Sequence, residues 1–121
     1  MLRSGTVVVV GCREDELRVL TGMLAPLDGA LVVQPVGDLD EQELRRIPEV
    51  RLVIFRVGTQ QSRPDVAVQK LRNVLGRNVP LMTLLPSGKG QRVREILRAG
   101  ADDYWILPLD ENALPIRLQV L

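Results

Sequence analysis

The sequence predicts a three-layer α/β domain: a doubly wound sheet of five parallel strands with helices on both faces. Three observations lead there. Short apolar runs alternate with amphipathic segments along the whole chain, the order expected of repeated strand–helix units. The runs are continuous rather than alternating, as in strands covered on both sides. Aromatic residues make up only 2% of the chain, so Val, Leu, Ile and Ala must fill the core. At 121 residues there is room for one domain and little more.

Each element has its own justification. Thr6–Val10 is an unbroken β-branched run ending at Gly11, which reads as a buried strand. Glu14 to Pro26 is a helix, with Leu17, Leu20, Met23 and Leu24 at helical spacing and acidic residues in its first turn. After the Asp28-Gly29 turn, Ala30–Val36 is a strand, and Pro35 places it at an edge. Asp40–Ile47 is a short helix stopped by Pro48, and Arg51–Val57 is a strand centred on Leu52-Val53-Ile54-Phe55. A polar loop over Gly58–Pro64 leads to a helix from Pro64 through Leu75, with Val68, Leu71, Val74 and Leu75 facing inward. Leu81–Leu85 is the fourth strand, closed by Pro86. Arg92–Ala99 is a helix capped by Gly100. Tyr104–Leu107 is the fifth strand, and a last helix runs from Asp110 to Leu121, with Pro115 tolerable only in its first turn. Right-handed crossovers then place helices on both faces.

Composition removes several functions. Sixteen basic and fifteen acidic residues leave a net charge of +1, which offers no electrostatic footprint for nucleic acid or membrane. Phe55, Tyr104 and Trp105 are too few for a base-stacking platform. The absence of histidine removes the commonest general base and zinc ligand. One cysteine, Cys12, cannot form an internal disulfide, and with neither a signal peptide nor an apolar span the expected location is cytoplasmic.

In such a sheet chemistry gathers at the carboxyl ends of the strands. Those ends carry Gly11, Cys12 and Arg13, then Arg56, Val57 and Gly58, then Leu85 with Pro86, and Leu107 with Pro108. This is a poor reaction centre. A magnesium ion needs carboxylate oxygens, and none is evidently aimed inward. Glu14 and Asp15 are better read as stabilising the first turn of the first helix.

The chain resembles the receiver domain of two-component response regulators over nearly its whole length, a flavodoxin-like fold. The resemblance rests on Ala99-Gly100-Ala101-Asp102-Asp103-Tyr104, on Pro108, on Leu109 to Leu114, and on Val7–Val10 leading to Glu16-Leu17-Arg18. It implies that two magnesium-binding acids should stand at Cys12 and Arg13, and the phosphoryl-accepting aspartate at Arg56. A hydroxyl residue should stand at Leu85 and a lysine at Leu107. All five are replaced. Phosphoryl transfer needs a carboxylate nucleophile and charge neutralisation by a metal, and arginine supplies neither. No cofactor is therefore expected. Two orientations remain open for Arg56: paired with Glu14 or Asp15 where the metal would sit, or, more simply, turned to solvent.

The remaining features have plain readings. Tyr104 matches the family's switching aromatic but lacks its trigger, so a fixed core or interface role is expected. Trp105 should pack under a helix. Ser87-Gly88-Lys89-Gly90 lacks the spacing of a phosphate loop, and Cys12 reads better as a small buried hydrophobe than as a redox thiol. By resemblance, the face made by the fourth helix, fifth strand and fifth helix, with Arg94, Arg98, Tyr104, Trp105 and Arg117, would bind a protein partner or a second copy. The expectation is a non-enzymatic pseudo-receiver, working without phosphorylation as an interaction or dimerisation module of bacterial signal transduction. It would form the N-terminal part of a longer protein, with no nucleic-acid or membrane contact of its own. The alternative is small-molecule or anion sensing by Arg13 and Arg56.

Overall fold

The computed structural model describes residues 5–25, 31–37, 40–58, 63–88 and 90–119. The chain runs β1 (Gly5–Val10), α1 (Glu14–Leu24), β2 (Leu31–Val36), α2 (Glu41–Arg46), β3 (Val50–Arg56) and α3 (Pro64–Leu75). Then come β4 (Leu81–Leu85), a 3₁₀ turn at Gly90–Arg92, α4 (Val93–Ala99), β5 (Asp103–Ile106) and α5 (Leu114–Gln119). All five strands are parallel in the order β2-β1-β3-β4-β5, so β2 with its Pro35 is an edge, as expected. The order reverses between β1 and β3, which opens a crevice at their carboxyl ends.

Each apolar strand is covered twice. Val8, Val10, Val53, Phe55, Leu81 and Leu85 face α2, α3 and α4, where Leu44, Val68, Leu71 and Ile96 meet them. Val7, Val9, Leu52, Ile54, Met82 and Leu84 face α1 and α5, meeting Leu20, Leu24, Leu114 and Leu118. This double burial explains the unbroken apolar runs, each fully buried side chain contributing about 2 kcal/mol. Thr83 is also fully buried, and its hydroxyl finds no hydrogen-bond partner among the described residues.

Most predicted boundaries hold or shift by one residue. Asp40 caps α2 rather than opening it, its carboxylate accepting from the amides of Gln42 at 2.9 Å and Glu43 at 3.3 Å. The largest correction is at α5, which begins at Leu114 and not at Asp110. Asp110 accepts from the amides of Asn112 and Ala113 at 2.8 and 3.0 Å, holding a turn that delays the helix. Pro115 consequently falls in the first turn. The Leu107–Pro108 peptide is cis. Pro26, the Asp28-Gly29 turn, Ala30, the middle of the polar loop, Lys89 and Leu121 lie outside the described residues.

The amino end of the sheet is tied together by one side chain. Arg72 of α3 donates from Nε and Nη2 to the Gly100 carbonyl at 2.9 and 2.7 Å. Its Nη1 reaches the Gly76 and Val79 carbonyls at 2.7 and 2.8 Å, and its Nη2 meets Asp102 at 2.8 Å. The same Asp102 oxygen accepts the Leu81 amide at the start of β4, also at 2.8 Å. Gly100 has φ +126°, and a Cβ there would stand 2.9 Å from Arg72 Cγ, so both the backbone and the close approach require glycine.

Candidate functional site

The carboxyl ends of β1, β3 and β5 border an open groove of about 470 Å³ between α1 and the connection from β5 to α5. Gly11 ends β1 at φ +75°, with space for a Cβ limited by the Arg56 carbonyl 3.0 Å away. The chain turns there into Cys12 and Arg13, and Arg13 caps α1. Its amide donates to Glu16 Oε1 at 2.9 Å, one half of a capping box.

Glu16 is where the sequence reading fails. We expected no carboxylate aimed inward, yet the Glu16 side chain is only 7% exposed, and it receives Arg56 Nε on its Oε2 at 3.1 Å. Arg56 is 10% exposed and donates from Nη1 to the Val57 carbonyl at 2.7 Å. It is therefore neither turned to solvent nor paired with Glu14 or Asp15. The reason is helical geometry. Glu16 sits at the third position of α1, where the capping bond to Arg13 turns it back toward the strand ends. Glu14 and Asp15 are exposed on the outside of the turn. The sequence holds only a weak signal for it, a Glu three residues after the cap, because Arg13 has no acceptor to complete a capping box. Arg13 Nη2 approaches the same carboxylate at 3.5 Å, but its side chain is 69% exposed.

The other expected site residues separate. Leu85 is fully buried in the layer under α3 and α4, away from the groove. Leu107 lines the groove and packs with the α1–α5 layer. Cys12 is half-buried beside the ion pair. Burial pushes its thiol up to about 12, helped by the Glu16 charge and opposed by Arg56. The protonated thiol is a poor nucleophile and a poor ligand, in keeping with the small-hydrophobe reading.

These residues do not fit a magnesium ion or a phosphoryl acceptor. The two positions at which the resemblance implies carboxylates hold a neutral thiol and a guanidinium, and the position at which it implies an acceptor holds a second guanidinium already bonded to Glu16. Among the described residues no group of three or more Cys, Asp or Glu side chains comes together to hold a metal. The lining does not favour an anion either. Three carboxylates, Asp15, Glu16 and Glu111, face two guanidiniums, and Arg56 has spent donors on Glu16 and Val57.

On the opposite side of the sheet from α1, the α4 residues Arg94 and Arg98 are exposed, near the exposed Leu97. Tyr104, Trp105 and Arg117 instead form one fixed cluster. Arg117 grips Asp103 through two hydrogen bonds of 2.8 Å and lies 5.4 Å from the Tyr104 ring centre and 5.7 Å from that of Trp105. The Trp105 indole donates to the Pro108 carbonyl at 3.1 Å, and its ring packs against the α1–α5 layer, as expected. Burial pushes the Asp103 carboxyl up. The Arg117 hydrogen bonds, the Tyr104 amide and the Arg117 charge together outweigh it and hold the carboxyl below the ordinary range. Asp103 was read only as part of a motif; its role as the anchor of Arg117 needed α5 in place.

No family model and no curated protein matches this chain. Solved structures do match. A response regulator from Thermotoga maritima is similar over 98% of this chain and 97% of its own, with TM-score 0.80 and 18% identity. The signal receiver domain of a DNA-binding response regulator from Colwellia psychrerythraea matches over 97% of both chains, with TM-score 0.80 and 13% identity. The pilus assembly protein CpaE from Caulobacter crescentus matches over 98% of this chain and 94% of its own, with TM-score 0.78 and 15% identity. The chain thus has the flavodoxin-like fold of receiver domains, as its resemblance implied. No described helix is long and apolar enough to cross a membrane.

Proposed function

We propose that this domain is a signalling module of receiver fold that accepts no phosphoryl group and acts by docking to protein. The observation that carries the reading is the Arg56–Glu16 pair. By the resemblance, a guanidinium stands where receivers carry the acceptor carboxylate, and its pairing with Glu16 within the chain supports the reading. Among the described residues no three Cys, Asp or Glu side chains gather to hold a metal, and the one buried carboxylate, Glu16, is already paired with Arg56, which supports a site that offers a fixed shape.

A protein partner or second copy would meet the face formed by α4, β5 and α5. The exposed Arg94, Arg98, Leu97 and Ile116 lie on its helices, and Arg117 holds Tyr104 and Trp105 in one arrangement between them. An effector elsewhere in a longer chain would be controlled by that contact, and a pilus assembly system is one setting the neighbours suggest. The charge balance and the few aromatic rings support a partner other than nucleic acid or membrane.

The test is to add beryllofluoride or acetyl phosphate with magnesium to the isotope-labelled domain and follow its amide resonances. We expect no shifts near Cys12, Arg56 or Tyr104. Magnesium-dependent shifts clustered there would overturn the reading. Shifts with the anion alone would revive the alternative of anion sensing by Arg13 and Arg56.

A further inference from the structure

The groove at the strand ends has the chemistry of a seat. Its floor is apolar, built from Val19, Leu107, Pro108 and Leu109, and its two sides carry Asp15 on α1 and Glu111 after β5. Glu16 and Arg56 neutralise one another beneath. Asp15 and Glu111 are exposed and belong to no ion pair among the described residues. A complementary occupant would bring an apolar side chain flanked by cations.

Such a surface exists on this chain. On α4, Leu97 is exposed, and Arg94 and Arg98 stand on the same side of the helix at i and i+4. Neither arginine is in an ion pair among the described residues, while their neighbour Glu95 is occupied by Arg92 at 2.9 Å. The groove opens on the α1–α5 side, whereas α4 covers the other face of the sheet. One molecule therefore cannot satisfy itself, but a second copy can.

We infer that the groove receives α4 of a second copy of this chain, with Leu97 on the apolar floor and Arg94 and Arg98 against Asp15 and Glu111. The inference rests on the docking reading above and names both partner and seat. The contact is heterologous. Each added copy leaves one groove and one α4 free, so association continues past the dimer into a ring or filament. A contact this small belongs to the transient class, and its charge pairing makes it sensitive to salt.

Sedimentation velocity of the full chain over a range of concentrations tests this, using two variants altered only at exposed positions. The groove variant carries Asp15→Arg and Glu111→Arg; the helix variant carries Arg94→Glu and Arg98→Glu. Circular dichroism should show both folded. We expect the unaltered chain to associate beyond the dimer at low salt, and each variant alone to stay monomeric. The two mixed in equal amounts should associate again and alternate within the assembly, because each variant's groove then meets an α4 of opposite charge on the other. Combining all four substitutions in one chain should restore association. An unaltered chain that stays monomeric at every concentration overturns the inference, as does a mixture whose components stay monomeric. A groove variant that still dimerises while the helix variant does not also overturns it. That last outcome points to a symmetric contact through α4, β5 and α5, which leaves the proposed function standing.

Discussion

Arg72 and Arg56 are both drawn out of solvent, at opposite ends of the same sheet, and they are used differently. Arg72 makes five hydrogen bonds, four of them to main-chain carbonyls, and so joins α3, the segment after it, β4 and the connection from α4 to β5. Arg56 makes one bond to a carboxylate and one to its neighbour's carbonyl, under an open groove. The first is a joint between elements; the second fills a site. The difference teaches where the resemblance to receivers resides. Gly100 and Asp102, which carry it, serve the joint, whereas Cys12, Arg13, Arg56, Leu85 and Leu107, where the resemblance would place other residues, all lie at or behind the strand ends.

The comparison breaks most sharply at Arg72. Arg72→Ala strands three carbonyls and the Asp102 carboxylate, and we expect a loss of about 3 kcal/mol in chemical denaturation. Arg72→Lys should recover little, because one ammonium cannot copy the planar fork. A loss no larger than that at Arg56 would remove the distinction between joint and site.

Arg56→Ala leaves Glu16 buried without its cation. Water from the groove reaches the carboxylate, so the expected loss is about 2 kcal/mol rather than the full cost of a deeply buried charge. Combining Glu16→Leu with Arg56→Met should regain most of it. A double-mutant cycle with no coupling would mean that the pair does not hold the site.

Thr83 lies on β4 midway between the two ends, with its hydroxyl buried and unbonded. Thr83→Val should stabilise the domain by about 1 kcal/mol, seen as a higher denaturation midpoint with unchanged slope. A loss of stability would show that the hydroxyl has a partner.

The smallest effect is expected at the Asp103–Arg117 pair. The Asp103 carboxyl is held below its ordinary range, so its folded form favours the ionised state. The pair's contribution is present at neutral pH and fades as the pH falls through and below the ordinary carboxylate range. Asp103→Asn should flatten that acid limb of the stability profile. An unchanged limb would place the acid sensitivity elsewhere.

The strands were legible in the residues because continuous β-branched runs have few other uses, and the helices because their apolar spacing matched one buried stripe. The edge position of β2 followed from Pro35, whose missing amide bars a central place. The start of α5 was not legible, since Asp110 is as good a turn residue as a helix cap, and only the fold showed which role it takes. That Cys12, Arg13 and Arg56 offer no carboxylate could be read from side-chain identity, because no conformation turns an arginine into a carboxylate. What Arg56 does instead required the tertiary structure. Glu14, Asp15 and Glu16 are adjacent in sequence and chemically alike, and which of them meets Arg56 depends on the phase of α1 over β3. That phase is set by burial of Leu20 and Leu24 against the sheet. Composition and pattern determined the layers; long-range register decided the pair.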